Sequence, residues 1–224
     1  MNKKAIVFVD ANNWYHNVKY WFKPSNVDIT KLSNLIYHKK NIDVLEIRWY
    51  VSMPSLKDDQ LTYKMQRAFL GHLQKKGVKI ITRKLQRLST KELKKKRQEL
   101  LSSWDLCEKC KPIAEESFLD IADHSQKEKG IDVWIAVDMV KEAINNKIDY
   151  VVLISGDADF VPALKLVREV KKEVLSVFVP RGYSNELRQK FPFYILKKDD
   201  LSKCLRDYQE VKETKNPEAN KRKG

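Results

Sequence analysis

Six short runs rich in Val and Ile, separated by helix-like stretches, constrain this chain more than any other feature. The runs are Ala5–Val9, Val44–Val51, Val78–Thr82, Tyr150–Ile154, Val174–Val179 and Phe193–Leu196. Several are continuously apolar rather than alternating, the pattern of strands buried on both faces. Between them, Asp28 or Thr30 can cap a helix running to Tyr37, and residues 58–76 read as a helix that stops before Gly77. Asp132–Asn145 carries a broad apolar face of Val133, Ile135, Ala136, Val137, Met139, Val140 and Ile144. Phe160–Val170 follows a fourth strand, with Pro162 tolerable in a first helical turn. This alternation predicts an α/β fold: a three-layer α/β/α sandwich around a mostly parallel, doubly wound sheet. The 224 residues read as one domain, 1–208, interrupted by an insertion over 83–125. A polar tail over 209–224, holding Lys221-Arg222-Lys223, is expected to be disordered.

Two of the strands deliver acid at their carboxyl ends, where open α/β sheets hold their ligands. Ala5-Ile6-Val7-Phe8-Val9 ends on Asp10, and Val151-Val152-Leu153-Ile154 runs through Ser155-Gly156 into Asp157 and Asp159. Lys129-Gly130-Ile131-Asp132 adds a turn and a further acid at a helix start. A single such Asp is more often a helix cap than a ligand, and that reading applies to Asp132 and to Asp159. Several acids on elements that converge at one sheet edge favour a divalent cation, because Mg²⁺ and Mn²⁺ prefer hard oxygen ligands and keep several waters. Asp138 lies six residues beyond Asp132 and so on a different helical face; it is a candidate for the outer shell of the site.

The chain carries 44 basic against 30 acidic residues, a net charge of +14, which favours a polyanionic partner, nucleic acid above all. Between Arg83 and Lys111 there are ten basic and four acidic residues, densest at Lys94, Lys95, Lys96 and Arg97. That run can track an RNA backbone, although charge runs are commonly solvated helix faces. No apolar run approaches the roughly 20 residues that cross a bilayer, and no signal-peptide pattern is present. The three cysteines argue against a disulfide framework; a reduced, cytoplasmic protein is the expectation.

The acidic segments, taken together, resemble the NYN domain family, relatives of the PIN-domain ribonucleases. Val7-Phe8-Val9-Asp10-Ala11-Asn12-Asn13 is similar to the family's first strand and the Asn that follows it. Lys129-Gly130-Ile131-Asp132 through Asp138 is similar to its middle helix, and Ser155-Gly156-Asp157-Ala158-Asp159-Phe160-Val161-Pro162 to its most specific motif. The resemblance covers most of the chain outside 83–125. It implies a PIN-like fold and Mg²⁺- or Mn²⁺-dependent ribonuclease activity, with Asp10, Asp132, Asp157 and Asp159 matching the family's metal-binding acids. Asn13 matches its polar residue after the first strand. Ser155 matches its hydroxyl, which could bond a phosphate or a neighbouring acid. The expected chemistry is attack of an activated water on a phosphodiester, leaving a 5′-phosphate and a 3′-hydroxyl. Many relatives carry an Asp before the last short strand, where this chain reads Lys190-Phe191-Pro192-Phe193.

Weaker signals remain. Cys107-Glu108-Lys109-Cys110 has metal-ligand spacing, but structural Zn²⁺ usually takes four ligands; Cys204, His124 or a second copy in a homodimer would have to complete it. Trp14 and Trp21 are seven apart, as are Tyr15 and Phe22. Each pair would then share a helical face, either packed on the sheet or offered as a base-stacking platform. Arg181 follows a strand end and could contact phosphate. The four histidines, His16, His38, His72 and His124, have no paired spacing. A rival reading is an RNA-binding or scaffolding protein without turnover. A phosphatase is disfavoured because Asp10-Ala11-Asn12 lacks the nucleophilic Asp-x-Asp, and no P-loop motif is present.

Overall fold

The computed structural model describes residues 3–54, 56, 59–84, 86–87, 95, 98–114, 126–127, 130–145 and 147–207. The described residues fall into two compact units, one drawn from 1–83 and 130–207 and the other from 84–129.

The larger unit is built on a six-stranded sheet. In chain order its elements are β1 (Lys3–Asp10), α1 (Ala11–Val18), α2 (Ile29–Lys40), β2 (Ile42–Met53), α3 (Gln60–Lys75) and β3 (Lys79–Lys84). In the smaller unit a short antiparallel pair, β4 (Gln86–Arg87) with β5 (Gln126–Lys127), follows. The larger unit resumes with α4 (Ile131–Ile144), β6 (Tyr150–Ile154), α5 (Val161–Glu169), β7 (Glu173–Phe178), α6 (Asn185–Lys190), β8 (Phe193–Ile195) and α7 (Lys198–Lys203). The strand order is β3-β2-β1-β6-β7-β8. The pairs β1–β2, β1–β6, β6–β7 and β7–β8 are all parallel.

The apolar runs behave as two-sided strands. Val7 and Val9 of β1 join one core with Val152, Ile154, Leu175 and Val177. Ile6 and Phe8 join the opposite core with Val151, Leu153 and Val174. Neighbouring residues of a strand thus serve different layers. Residues of α1, α2, α3 and α7 close the first core, through Trp14, Leu32, Leu73 and Leu201. Those of α4, α5 and α6 close the second, through Ile135, Leu164 and Leu187. The crossover helices therefore change face between β1 and β6, which makes the carboxyl ends of those two neighbours the topological switch point.

Local signals explain most boundaries. Asp28 caps α2, accepting from the backbone N–H groups of Thr30 and Lys31, and Asn41 closes it in the left-handed conformation. Pro lies in the first turn of α5, and Ser184 caps α6. The aromatic stretch departs from expectation. Helix α1 stops at Val18, and the amides of Trp21 and Phe22 both fold back onto the Val18 carbonyl. The seven-residue spacing is therefore not carried through a continuous helix. Trp14 is buried, and Trp21 and Phe22 pack against the same core, whereas Tyr15 and Tyr20 are exposed. No helix among the described residues is long and apolar enough to cross a membrane.

Candidate active site

The switch point carries acid where a dinucleotide-binding turn would carry glycine. Immediately after β1 the chain reads Ala11-Asn12-Asn13. Asp10, only 3% exposed, caps α1: its Oδ1 accepts the Asn12 and Asn13 amides, both at 3.1 Å. Its Oδ2 accepts the Ser155 hydroxyl at 3.0 Å. The two candidate partners of Ser155 were a phosphate and a neighbouring acid; the hydroxyl reaches the acid. Its oxygen in turn accepts the Asp157 amide at 3.2 Å, so one buried serine links the carboxyl ends of β1 and β6.

Asn13 makes a second link. Its Oδ1 accepts the Gly156 amide at 3.0 Å and Asn17 Nδ2 at 3.0 Å. Asn17 Nδ2 also donates to the Asn13 carbonyl at 2.9 Å. The loop after β7 closes over these groups: the Ser184 amide donates to the Gly156 carbonyl at 2.8 Å. There is no room for a side chain at Gly156, where a Cβ would sit 2.1 Å from the Gly182 carbonyl oxygen and 2.7 Å from Tyr183 Cα. Gly182 has φ +79° and packs directly on Asn17. Asn13, Asn17, Ile154, Ser155 and Phe178 help line a small crevice.

The other acids are held differently. Asp157, half-buried, caps the short turn Ala158–Phe160 and accepts the Asp159 amide at 3.0 Å. The capping residue is thus Asp157, and Asp159, two residues on, is exposed. The cap of α4 is Gly130, so Asp132 lies exposed in the first turn rather than at the cap. Asp138 accepts the Tyr50 hydroxyl at 2.7 Å. Tyr50 is fully buried and pairs in register with Asp10 across β1 and β2. Arg48, also buried, binds Glu142 at 2.8 Å and Glu46 at 2.5 Å, and approaches Asp138 at 3.9 Å. Burial, then the bond to Asp138, pushes the Tyr50 hydroxyl far above the ordinary tyrosine range, so it stays a neutral donor. Asp138 thereby supports the strand beside Asp10.

Among the described residues, no group of three or more His, Cys, Asp or Glu side chains is arranged to hold a metal ion. The acids that the sequence suggests as ligands would suit one kind of ion. All are carboxylates, and three of them, Asp132, Asp157 and Asp159, reach solvent. Mg²⁺ and Mn²⁺ take hard oxygen ligands, and Mg²⁺ is commonly held by one or two carboxylates with several waters retained.

Arg181 is exposed, with its guanidinium over the Tyr20 ring, 5.3 Å from the centroid. In the smaller unit Lys95 is exposed and 4.0 Å from Glu99; Lys94, Lys96 and Arg97 lie outside the described residues, as do His124 and the tail 209–224. Cys107 and Cys110 are exposed and free. The bond between the two thiols holds Cys107 below the usual thiol range and Cys110 above it. No third metal ligand joins them among the described residues, and Cys204 is buried in the first core.

Sequence reasoning missed Asn17 and Gly182. The spacing of Asn13 and Asn17, four apart on one helix, was an available signal for the first; glycine in the turn after β7, where φ is +79°, was a local signal for the second, although its contact with Asn17 comes from α1.

The family model for the NYN domain matches residues 4–197. The chain is also 34% identical over 67 residues to uncharacterized protein MJ0482 of Methanocaldococcus jannaschii; the match covers 30% of this chain and 28% of that protein.

Proposed function

The chain belongs to the NYN domain family, and from that premise we propose that it is a metal-dependent ribonuclease hydrolysing RNA phosphodiester bonds. The observation that carries this reading is the lock between Asp10, Ser155, Asn13 and Gly156, which fixes acids from two adjacent strand ends at the switch point of the sheet. Asp10, Asp132, Asp157 and Asp159 would hold Mg²⁺ or Mn²⁺, in part through waters. Such an ion, when bound, lowers the pKa of a water and neutralises charge at the scissile phosphate.

The chain's own residues do the positioning. Asp10 is anchored by two amides and a hydroxyl, so its carboxylate needs little reordering to act. The backbone N–H groups at the start of α1 and of the turn after Asp157 favour negative charge nearby. Asn13 and Ser155 orient the acids, and Asp138 steadies Tyr50 behind them. The net charge of +14 draws a polyanion to the surface, with Arg181 and Lys94–Arg97 as candidate contacts.

The test is cleavage of single-stranded and structured RNAs by the purified chain with Mn²⁺, Mg²⁺ or EDTA, beside Asp157→Asn. Metal-dependent cleavage that ends in 5′-phosphates and is lost in the variant supports the reading. RNA binding without cleavage under every condition would replace it with the binding-protein reading.

A further inference from the structure

We infer that Tyr20 and Arg181 form a stacking platform for one unpaired base of the substrate, a subsite beside the acids; the inference rests on the ribonuclease reading above. Tyr20 is 60% exposed, although the neighbouring aromatics Trp14, Trp21 and Phe22 all turn to the core. Two cations lie near its ring: the Arg181 guanidinium at 5.3 Å and Lys19 Nζ at 5.9 Å from the centroid, so a base stacks on the planar guanidinium or on the ring beside it. The outward side of α1 and its C-terminal turn is thus aromatic and basic, with Tyr15, His16, Lys19 and Tyr20 all exposed.

The platform is linked to the acids through the side chains of Asn17 and Asn13. Arg181 precedes Gly182, whose Cα lies so close to Asn17 that a Cβ there would fall 2.0 Å from Asn17 Oδ1. Asn17 holds the Asn13 side chain, and Asn13 holds the Gly156 amide between Ser155 and Asp157. A nucleotide resting on Tyr20 and Arg181 would therefore have a fixed register to the acidic strand ends. Aromatic rings and guanidinium planes both stack bases, and every base offers a π-face. Lys19 and Arg181 add the charge that an adjacent phosphate requires. A base inside a duplex has both faces covered by its neighbours, so the platform discriminates in favour of unpaired RNA.

The experiment uses single-stranded RNA oligonucleotides carrying 2-aminopurine at successive positions, the Asp157→Asn protein with Mn²⁺ for binding, and the unaltered protein for cleavage. Stacking predicts quenched fluorescence at one position. Adding Tyr20→Ala should restore the fluorescence and raise Kd roughly five- to hundredfold, while Tyr20→Phe retains both signals. In the cleaving protein Tyr20→Ala should raise KM by a similar factor with kcat little changed, and the matching duplex should respond to neither variant. Unaltered melting temperatures confirm that these exposed positions leave folding intact. Cleavage that ignores Tyr20→Ala overturns the platform and leaves the ribonuclease reading standing. Tyr20-dependent quenching by a chain that never cleaves overturns the ribonuclease reading alone. A chain that binds no RNA overturns both.

Discussion

The Ser155 hydroxyl donates to Asp10 Oδ2 at 3.0 Å, joining two residues that are 145 positions apart and both almost wholly buried. The bond crosses from β1 to β6, neighbours whose following helices pack on opposite faces of the sheet. It ties the carboxyl end of β1 to that of β6. The same oxygen of Ser155 receives the Asp157 amide, so the geometry of one strand end is passed to the other.

Ser155→Ala should therefore act on both stability and activity. It removes a hydrogen bond to a buried carboxylate, a loss of about 1–2 kcal/mol. Urea unfolding should show a lower midpoint with an unchanged slope. Cleavage should fall by roughly 10–100-fold, the usual effect of deleting a group that orients a metal-binding carboxylate.

Gly156→Ala should be the more damaging change at the same turn. The added methyl would meet the Gly182 carbonyl and Tyr183 Cα, both backbone atoms, which cannot swing aside as a side chain can. A cost of about 1–3 kcal/mol is expected. The bond from the Ser184 amide to the Gly156 carbonyl should open, and hydrogen exchange at the Ser184 amide reads this directly.

Asp28 predicts the acid limb of the stability curve. Burial alone would raise its pKa, but hydrogen bonds from Lys76 and Thr30 outweigh that and hold it at about 2. A carboxylate with a lowered folded-state pKa stabilises fully above its unfolded value near 3.9, and that stabilisation is lost as pH falls toward the folded value. Asp28→Asn should cost roughly 2 kcal/mol at neutral pH, and the gap to the parent should close between about pH 4 and 2. Parallel stability of the two proteins across that window would refute the assignment.

The three cysteines should divide by reactivity. Cys107 and Cys110 are exposed, and Cys107 carries the lowered pKa of the pair. Burial, then the negative charges of Asp200 and Asp28, push the Cys204 thiol up to about 11. Two thiols per chain should react rapidly with an aromatic disulfide at pH 8, Cys107 first, and the third only in denaturant. Zinc analysis of the parent beside Cys107→Ser decides whether the exposed pair also holds metal.

The sheet and its helices were legible because strands buried on both faces leave continuous apolar runs, as in Val151–Ile154, and because caps such as Asp28 mark helix starts. The acids at Asp10 and Asp157 were legible for the same reason: each follows a run that can end only at the sheet edge. Helices α6 and α7 escaped notice, since six residues give too short a period to read. The true end of α1 escaped as well, because the aromatic spacing imitates a longer helix. The pairing of Tyr50 with Asp138 and the contact of Gly182 with Asn17 join distant segments, and no local pattern encodes either of them.

The most direct measurement is the rate of RNA cleavage by the purified chain in Mn²⁺ and in EDTA, for the parent, Asp10→Asn and Asp157→Asn, each verified as folded by its melting curve. The account predicts cleavage by the parent in Mn²⁺, none in EDTA, and a fall of about 100-fold or more in both variants. Equal rates in parent and variants, or a folded parent that binds RNA and never cuts it, would contradict it.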